Sequence, residues 1–287
     1  MSAIDHFAFG LLTPLLAYAM SSAGSLLGLQ CTARARGTSG QSRARWLLLA
    51  AVSIGGTGIW VMHFIAMLGF RVEGIEIKYE VGLTLLSMLI AIVVVGVGLF
   101  IVGFGGSRRS ALIAGGVITG LGVASMHYMG MAAMAMAGHV DYDALLVAAS
   151  VLIAVVAATV ALWFTLRVKG QLITAAAALV MGVAISGMHY TGMAAMEVRG
   201  DPDSAVPAGA SAFDFLLPLV VGISLLAVIM LVIIGLSPTE DELNFEQEFN
   251  RSLQHTSAGA GSASGQSSGQ SGQEGRDGYW LRGQGPN

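Results

Sequence analysis

Seven apolar stretches alternate with short polar breaks along the first 236 residues. A membrane-spanning helix needs roughly 20 predominantly apolar residues. The pattern predicts helices over 7–29, 46–70, 81–103, 111–136, 144–166, 172–196 and 214–236. The expected fold is an all-α membrane protein in which residues 1–236 form one seven-helix domain. Spans three, five and seven are dominated by Val, Ile and Leu, whereas two, four and six are rich in Gly, Ala, Ser and Met. Small residues let membrane helices approach closely, so the even-numbered spans are expected inside and the branched-aliphatic ones toward lipid. The first span has no Lys or Arg before Arg34, so it lacks the basic start of a cleavable leader and reads as retained. From Ser237 the sequence turns acidic, PTEDELNFEQEF, and then becomes a Gly/Ser/Gln run. Residues 237–287 therefore read as a disordered cytoplasmic tail. A short amphipathic helix using Leu243, Phe249 and Leu253 competes there with a solvated acidic linker.

Charge refines this picture. Only 11% of residues are charged and 55% are apolar, against about 25% charged in ordinary soluble domains. That balance excludes a nucleic-acid binder, a disordered regulator and a soluble enzyme. The expectation is a multi-pass protein of the cell (inner) membrane, surrounded by lipid bilayer and not an enzyme. The single cysteine, Cys31, rules out a disulfide framework and reads as an interfacial thiol. Basic residues accumulate in cytoplasmic loops. Arg34, Arg36, Arg43 and Arg45 fall between spans one and two, Arg108 and Arg109 between three and four, and Arg167 and Lys169 between five and six. The alternate loops carry mostly acidic residues, including Glu73, Glu76, Asp141, Asp143 and Glu197. The N-terminus is thus expected outside and the C-terminus in the cytoplasm.

Three spans end in nearly the same words: GTGIWVMHFIAM at 56–67, GLGVASMHYMGM at 120–131 and GVAISGMHYTGM at 182–193. They align without a gap on His63, His127 and His189, separated by 64 and 62 residues. Each repeat is a pair of helices, which returns the motif to the same side of the membrane and makes the repeat parallel. His63 and His127 each lie 18 residues beyond the last arginine before them, roughly 27 Å along a helix at 1.5 Å per residue. All three histidines are expected in one layer near the outer face. Gly56, Gly120 and Gly182 precede them by seven residues, about two turns, which predicts that glycine and histidine share the face where these helices meet.

In each word a methionine follows the histidine by four residues, at Met67, Met131 and Met193, one turn away on the same face. Another directly precedes it, at Met62, Met126 and Met188. One such pair is ordinary packing, but three at one depth point to a function, because ionisable groups inside a membrane are costly; whether the three share one site stays open. Imidazole and thioether together suit copper, with Cu(I) favoured by the soft sulfur, and the motif's lack of carboxylates argues against Mg, Ca or Mn. Heme held by a histidine pair is the chemical competitor. His6 with Asp5 could add a ligand or cap the first span, and His139, Asp141 and Asp143 read as a solvated turn.

The words Met62-His63-Phe64-Ile65, Met126-His127-Tyr128-Met129 and Met188-His189-Tyr190-Thr191 closely resemble the signature of MHYT-domain bacterial membrane sensors. The similarity covers about residues 5–236. It implies seven spans, copper bound through Met and His, and sensing of oxygen, carbon monoxide or nitric oxide. Phe64, Ile65 and Met129 depart from the signature, so the hydroxyls are not expected as indispensable ligands. Many relatives fuse this unit to an output domain, and the tail here implies a separate cytoplasmic signalling partner. The leading expectation is a copper-dependent sensor of a diatomic gas or of redox state. Copper transport or delivery, and heme electron transfer, stay open beside it.

Overall fold

The computed structural model describes residues 4–105, 108–200, 208–236 and residue 249. Among the described residues seven helices are long and apolar enough to cross a membrane: α1 (Leu12–Gly37), α2 (Gly40–Leu68), α3 (Val81–Gly105), α4 (Arg109–Ala132), α5 (Ala144–Arg167), α6 (Gln171–Ala194) and α7 (Ala212–Ile234). The tail expected to be disordered, with its candidate amphipathic helix, lies outside the described residues apart from Phe249.

The first span departs most from the sequence pattern, starting five residues later and ending eight later than expected. Gly10, at φ +59°, holds a turn ahead of the helix. The Asp5 carboxylate accepts from the Phe7 N–H at 2.8 Å in the same turn. At the other end α1 continues through Arg34 and Arg36, so only Thr38 and Ser39 separate it from α2. These arginines are therefore helical, not loop residues, and they bond to helix-end carbonyls. Arg34 donates to the Ile234 carbonyl at 2.7 Å and lies over the Trp46 ring. Arg36 donates to the carbonyls of Thr165 and Val168. Cations are favoured there, because a helix leaves unpaired carbonyls at its C-terminal end. Cys31, expected at the interface, is fully buried in α1.

The even helices alternate around the bundle with odd ones: α3 packs against α2 and α4, α5 against α4 and α6, and α1 against α6 and α2. α7 stands outside this ring, against α1 and α2. One backbone bond recurs at the same end of each hairpin. Ala8 N–H donates to the Gly69 carbonyl, Glu80 to Ala133 and Asp143 to Ala195, at 2.8–2.9 Å. The three acceptors each follow a motif histidine by six residues. The first span thus joins α2 in a hairpin like those of α3 with α4 and α5 with α6.

Short antiparallel strands tie the connecting segments at that end. β1 (Ile4–Asp5) pairs with β2 (Arg71–Val72). β3 (Lys78–Tyr79) lies between β4 (Met134–Ala135) and β7 (Ala210–Ser211). β5 (Gly138–Tyr142) pairs with β6 (Met196–Gly200). The acidic turn around His139 and Asp141 is thus part of a small ribbon, with Asp141 3.5 Å from exposed Arg199. Asp143 caps α5, accepting from the Leu145 and Leu146 N–H groups.

α2 is the most enclosed span, and residues Val52–Val61 of it form a π-helix. π turns are usually single and gather at functional sites. This run is glycine-rich and squeezed between backbones: a Cβ at Gly55 would lie 2.6 Å from the Ala91 carbonyl oxygen, and one at Gly24 would lie 2.4 Å from the Gly58 nitrogen.

The three glycines at seven residues before each histidine do not face one another. Gly56 packs toward Ile92 of α3, Gly120 against Val155 of α5, and Gly182 against Tyr18 and Ser22 of α1. They seat each even helix on the odd helix of the next hairpin. A Cβ at Gly120 would meet the Val155 Cα at 2.4 Å, whereas one at Gly56 would sit at an ordinary 3.6 Å from Ile92. Gly120→Ala should therefore cost about 1–3 kcal/mol by overpacking against backbone, and Gly56→Ala should be near neutral. Thermal unfolding of the two variants in one detergent checks this. Equal midpoints would place Gly120 away from α5.

Candidate functional site

The motif histidines come from the strand-bearing ends of α2, α4 and α6, and each is almost completely buried. Their rings form a three-bladed arrangement with centroids 4.9–5.1 Å apart and planes at 82–88°. The blades meet at the ring nitrogens. His63 Nδ1 is 3.0 Å from His189 Nδ1 and 3.2 Å from His127 Nδ1. One ligand atom from each histidine lies within 4.8 Å of the others, close enough for one ion to reach all three. The sequence leaves open whether these residues share a site; geometrically they are one cluster.

Each imidazole is held by its aromatic neighbour, and two of the three also by a glycine. The aromatic residue after each histidine stands nearly perpendicular: Phe64 on His63, Tyr128 on His127 and Tyr190 on His189, at 4.7–5.0 Å and 79–89°. These aromatics then point away from the cluster. Tyr128 shares a hydrogen bond with Ser150 of α5 at 2.7 Å, and Phe64 packs on Trp60 and Tyr79. Phenylalanine can therefore replace tyrosine at position 64 without any loss to the cluster.

The second support is a glycine three residues after the histidine of the next copy. A Cβ at Gly130 would lie 2.5 Å from His63 Nε2, and one at Gly192 would lie 2.3 Å from His127 Nε2. The sequence contains this signal as the glycine of the MGM and TGM words. It is easily passed over, because the first copy has Ala66 in that place.

The methionines divide into two tiers. Met62, Met126 and Met188 line a cavity together with the three histidines and Met181 of α6. Met67, Met131 and Met193 are buried one turn toward the strand-bearing end and are not among the residues lining that cavity. The methionine preceding each histidine thus shares the cavity wall, although the helical wheel favours the one that follows. His6 packs against Phe70 near the strand-bearing end, at 5.6 Å. Its burial pulls the imidazole below its ordinary value, partly opposed by Asp5.

The cluster presents a polar imbalance. Nε2 of His63 and of His127 is buried without a hydrogen-bond partner, while Nδ1 atoms crowd against one another. A neutral imidazole carries its proton on one nitrogen and a lone pair on the other. Protons on Nε2 would leave converging lone pairs at the centre, the arrangement that suits a cation. Among the described residues, no carboxylate belongs to the cluster.

Comparison with known proteins adds an independent line. The MHYT family model, described as "Bacterial signalling protein N terminal repeat", matches three times, at residues 56–115, 120–178 and 182–241. The chain is 40% identical over 195 residues to the bifunctional diguanylate cyclase/cyclic di-GMP phosphodiesterase MucR of Pseudomonas aeruginosa, covering 66% of this chain and 27% of that protein. It is 35% identical over 170 residues to the cyclic di-GMP phosphodiesterase NbdA of the same organism, covering 57% and 21%. The signaling protein YkoW of Bacillus subtilis is 32% identical over 197 residues, covering 65% and 24%. The chain thus spans about a quarter of the length of these relatives. No solved structure matches. With three matches that together cover more than half its length, and with a motif histidine in each helix pair, the chain belongs to the MHYT family of bacterial signalling proteins.

Proposed function

We propose that this protein is a copper-dependent membrane sensor of a diatomic gas or of redox state. The observation that carries the reading is the convergence of three buried imidazole nitrogens, two of the contacts being 3.0 and 3.2 Å. Nitrogens each about 2 Å from one tetrahedral ion stand about 3.3 Å apart, close to the His63–His189 and His63–His127 separations. His63, His127 and His189 would hold the ion, with sulfur available from Met62, Met126 and Met188 or from Met67, Met131 and Met193. An all-neutral donor set in a low-dielectric layer favours the monovalent ion, because a divalent one would bring more uncompensated charge. Bound Cu(I) supplies a site to which a small neutral gas can coordinate.

Heme fits the cluster poorly. Two imidazoles on opposite sides of one iron would stand about 4 Å apart with the macrocycle between them, and the observed Nδ1 contacts leave no such gap. Transport would need soft donors continuing across the bundle. Below the histidine layer the cavity wall passes through four methionines to Ala, Leu and Thr residues, which favours holding an ion over passing it along. The output in this reading is cyclic-di-GMP chemistry on the cytoplasmic side, the activity in the names of MucR and NbdA.

The orientation proposed from the charge bias puts the strand-bearing end and the N-terminus outside, with three hairpin repeats around an axis along the membrane normal. Reporter fusions after Gly40, Gly105 and Gly170 should read cytoplasm, and fusions near Gly74 and Gly138 the outer side. Any exchange between the two groups would overturn it.

The function is tested by metal analysis of detergent-purified protein with carbon monoxide added to the reduced form. About one copper per chain and a carbonyl stretch are expected, both absent after triple His→Ala replacement. Stoichiometric copper without a response to any diatomic gas would remove sensing and favour delivery.

A further inference from the structure

Immediately below the histidine cluster, toward the middle of the bundle, lies a cavity of about 60 Å³. In α2, α4 and α6 no lining residue lies beyond the histidine toward the strand-bearing end, and the far end of the cavity reaches Thr165 of α5. Its walls are almost wholly apolar, and both threonine hydroxyls are already engaged. Thr119 Oγ1 donates to the Val94 carbonyl, and Thr165 Oγ1 donates to the Leu162 carbonyl at 2.7 Å. The histidine Nδ1 atoms face one another, and Nε2 of His63 and of His127 abuts Gly130 and Gly192. A water needs two to four polar partners, and cavities that lack them stay dry and take up apolar guests. The two unpartnered groups of its lining, Nε2 of His63 and of His127, lie against glycines.

One wall is thin. Ala157, Ala158 and Ala161 of α5 and Ala184 and Ile185 of α6 line the cavity and are only partly buried. Four alanines and one isoleucine thus form this wall, where α5 packs against α6.

We propose that this cavity is a binding site for a small, neutral, apolar molecule of diatomic size, which enters from the bilayer between α5 and α6 and comes to rest against the histidine cluster. By the measure in which one water needs about 10–15 Å³, 60 Å³ holds a few small molecules but no acyl chain. Occupancy stands on the cavity alone. The step from occupancy to a signal rests on the sensor reading above, and the cavity supplies that reading with the gas's resting place.

The methionines provide the test, because Met62, Met126, Met181 and Met188 line the cavity while Met67, Met131 and Met193 do not. Full-length protein with labelled methionine methyl groups in lipid nanodiscs is exposed to increasing xenon pressure. Saturable methyl shifts are expected in the first set and not in the second. Ala158→Phe, which puts a ring into the space, should abolish them while leaving the Met67, Met131 and Met193 signals in place. Should that variant not fold, Ala161→Leu takes its role. No shift in the four cavity methionines, equal shifts in both sets, or shifts that survive the filling variant would each overturn the proposal. Metal content is measured on the same samples. Xenon binding without copper retention would leave the cavity standing and remove the copper reading; copper with a carbonyl stretch but no xenon shift would do the reverse.

Discussion

Replacing any one of His63, His127 or His189 by alanine is expected to abolish copper retention as fully as replacing all three. Independent sites would lose a third each. The cluster predicts otherwise, because its nitrogens crowd around a single point, with contacts of 3.0 and 3.2 Å, and removing one leaves a two-coordinate remnant. Even outer-shell losses lower metal affinity roughly 10- to 100-fold, so each single variant should fall at least that far in a competition with a Cu(I) chelator. Two-thirds occupancy in the single variants would divide the cluster into separate sites. A trio that served only for packing would give a third outcome, with altered thermal stability and no metal in the parent protein to lose.

The second large effect is expected from a residue that touches no metal. A methyl at position 192 would overlap His127 Nε2 at 2.3 Å, and one at position 130 would overlap His63 Nε2 at 2.5 Å. Neither ring has room to retreat, since each is held by its own aromatic neighbour and by the other two histidines. Gly192→Ala should therefore cost about 1–3 kcal/mol by overpacking and lower copper occupancy severalfold with every ligand present. The ordinary helix preference of alanine over glycine, about 1 kcal/mol, acts in the opposite direction, so a net loss is diagnostic. A variant that is more stable and fully metallated would mean that His127 does not rest on Gly192.

Much of this was legible in the chain because the bilayer imposes its own period. The seven spans, the three words and the common level of the histidines follow from hydropathy and from gap-free self-alignment. What escaped reading has physical causes. A helical wheel assumes 3.6 residues per turn, so it could not foresee the π turns of Val52–Val61. Nor could it settle which way Gly56, Gly120 and Gly182 turn when each even helix packs between two odd neighbours as well as near the other even ones. Positive charge reads as the end of the first span, although Arg34 and Arg36 continue it by bonding to carbonyls more than a hundred residues away. The separation of the methionines into two tiers depends on a cavity that no local pattern records.

Those two arginines also bear on the order in which the molecule is built. α1 is the first of the seven helices to leave the ribosome, yet the acceptors for Arg36 lie 129 and 132 residues downstream and that for Arg34 lies 200 residues downstream. The other face of α1, with buried Ser21 and Ser25, packs along α2, where Gly24 and Gly58 come into backbone contact. Until α5 and α7 have been synthesised, the guanidinium groups must be satisfied by lipid headgroups or by the insertion machinery, because unpaired polar groups are costly in hydrocarbon. The first helix is thus the last to complete its contacts, and α7 arrives as a latch. Nascent chains arrested before α5 should be open to quality-control proteolysis, whereas chains released after α7 should resist it.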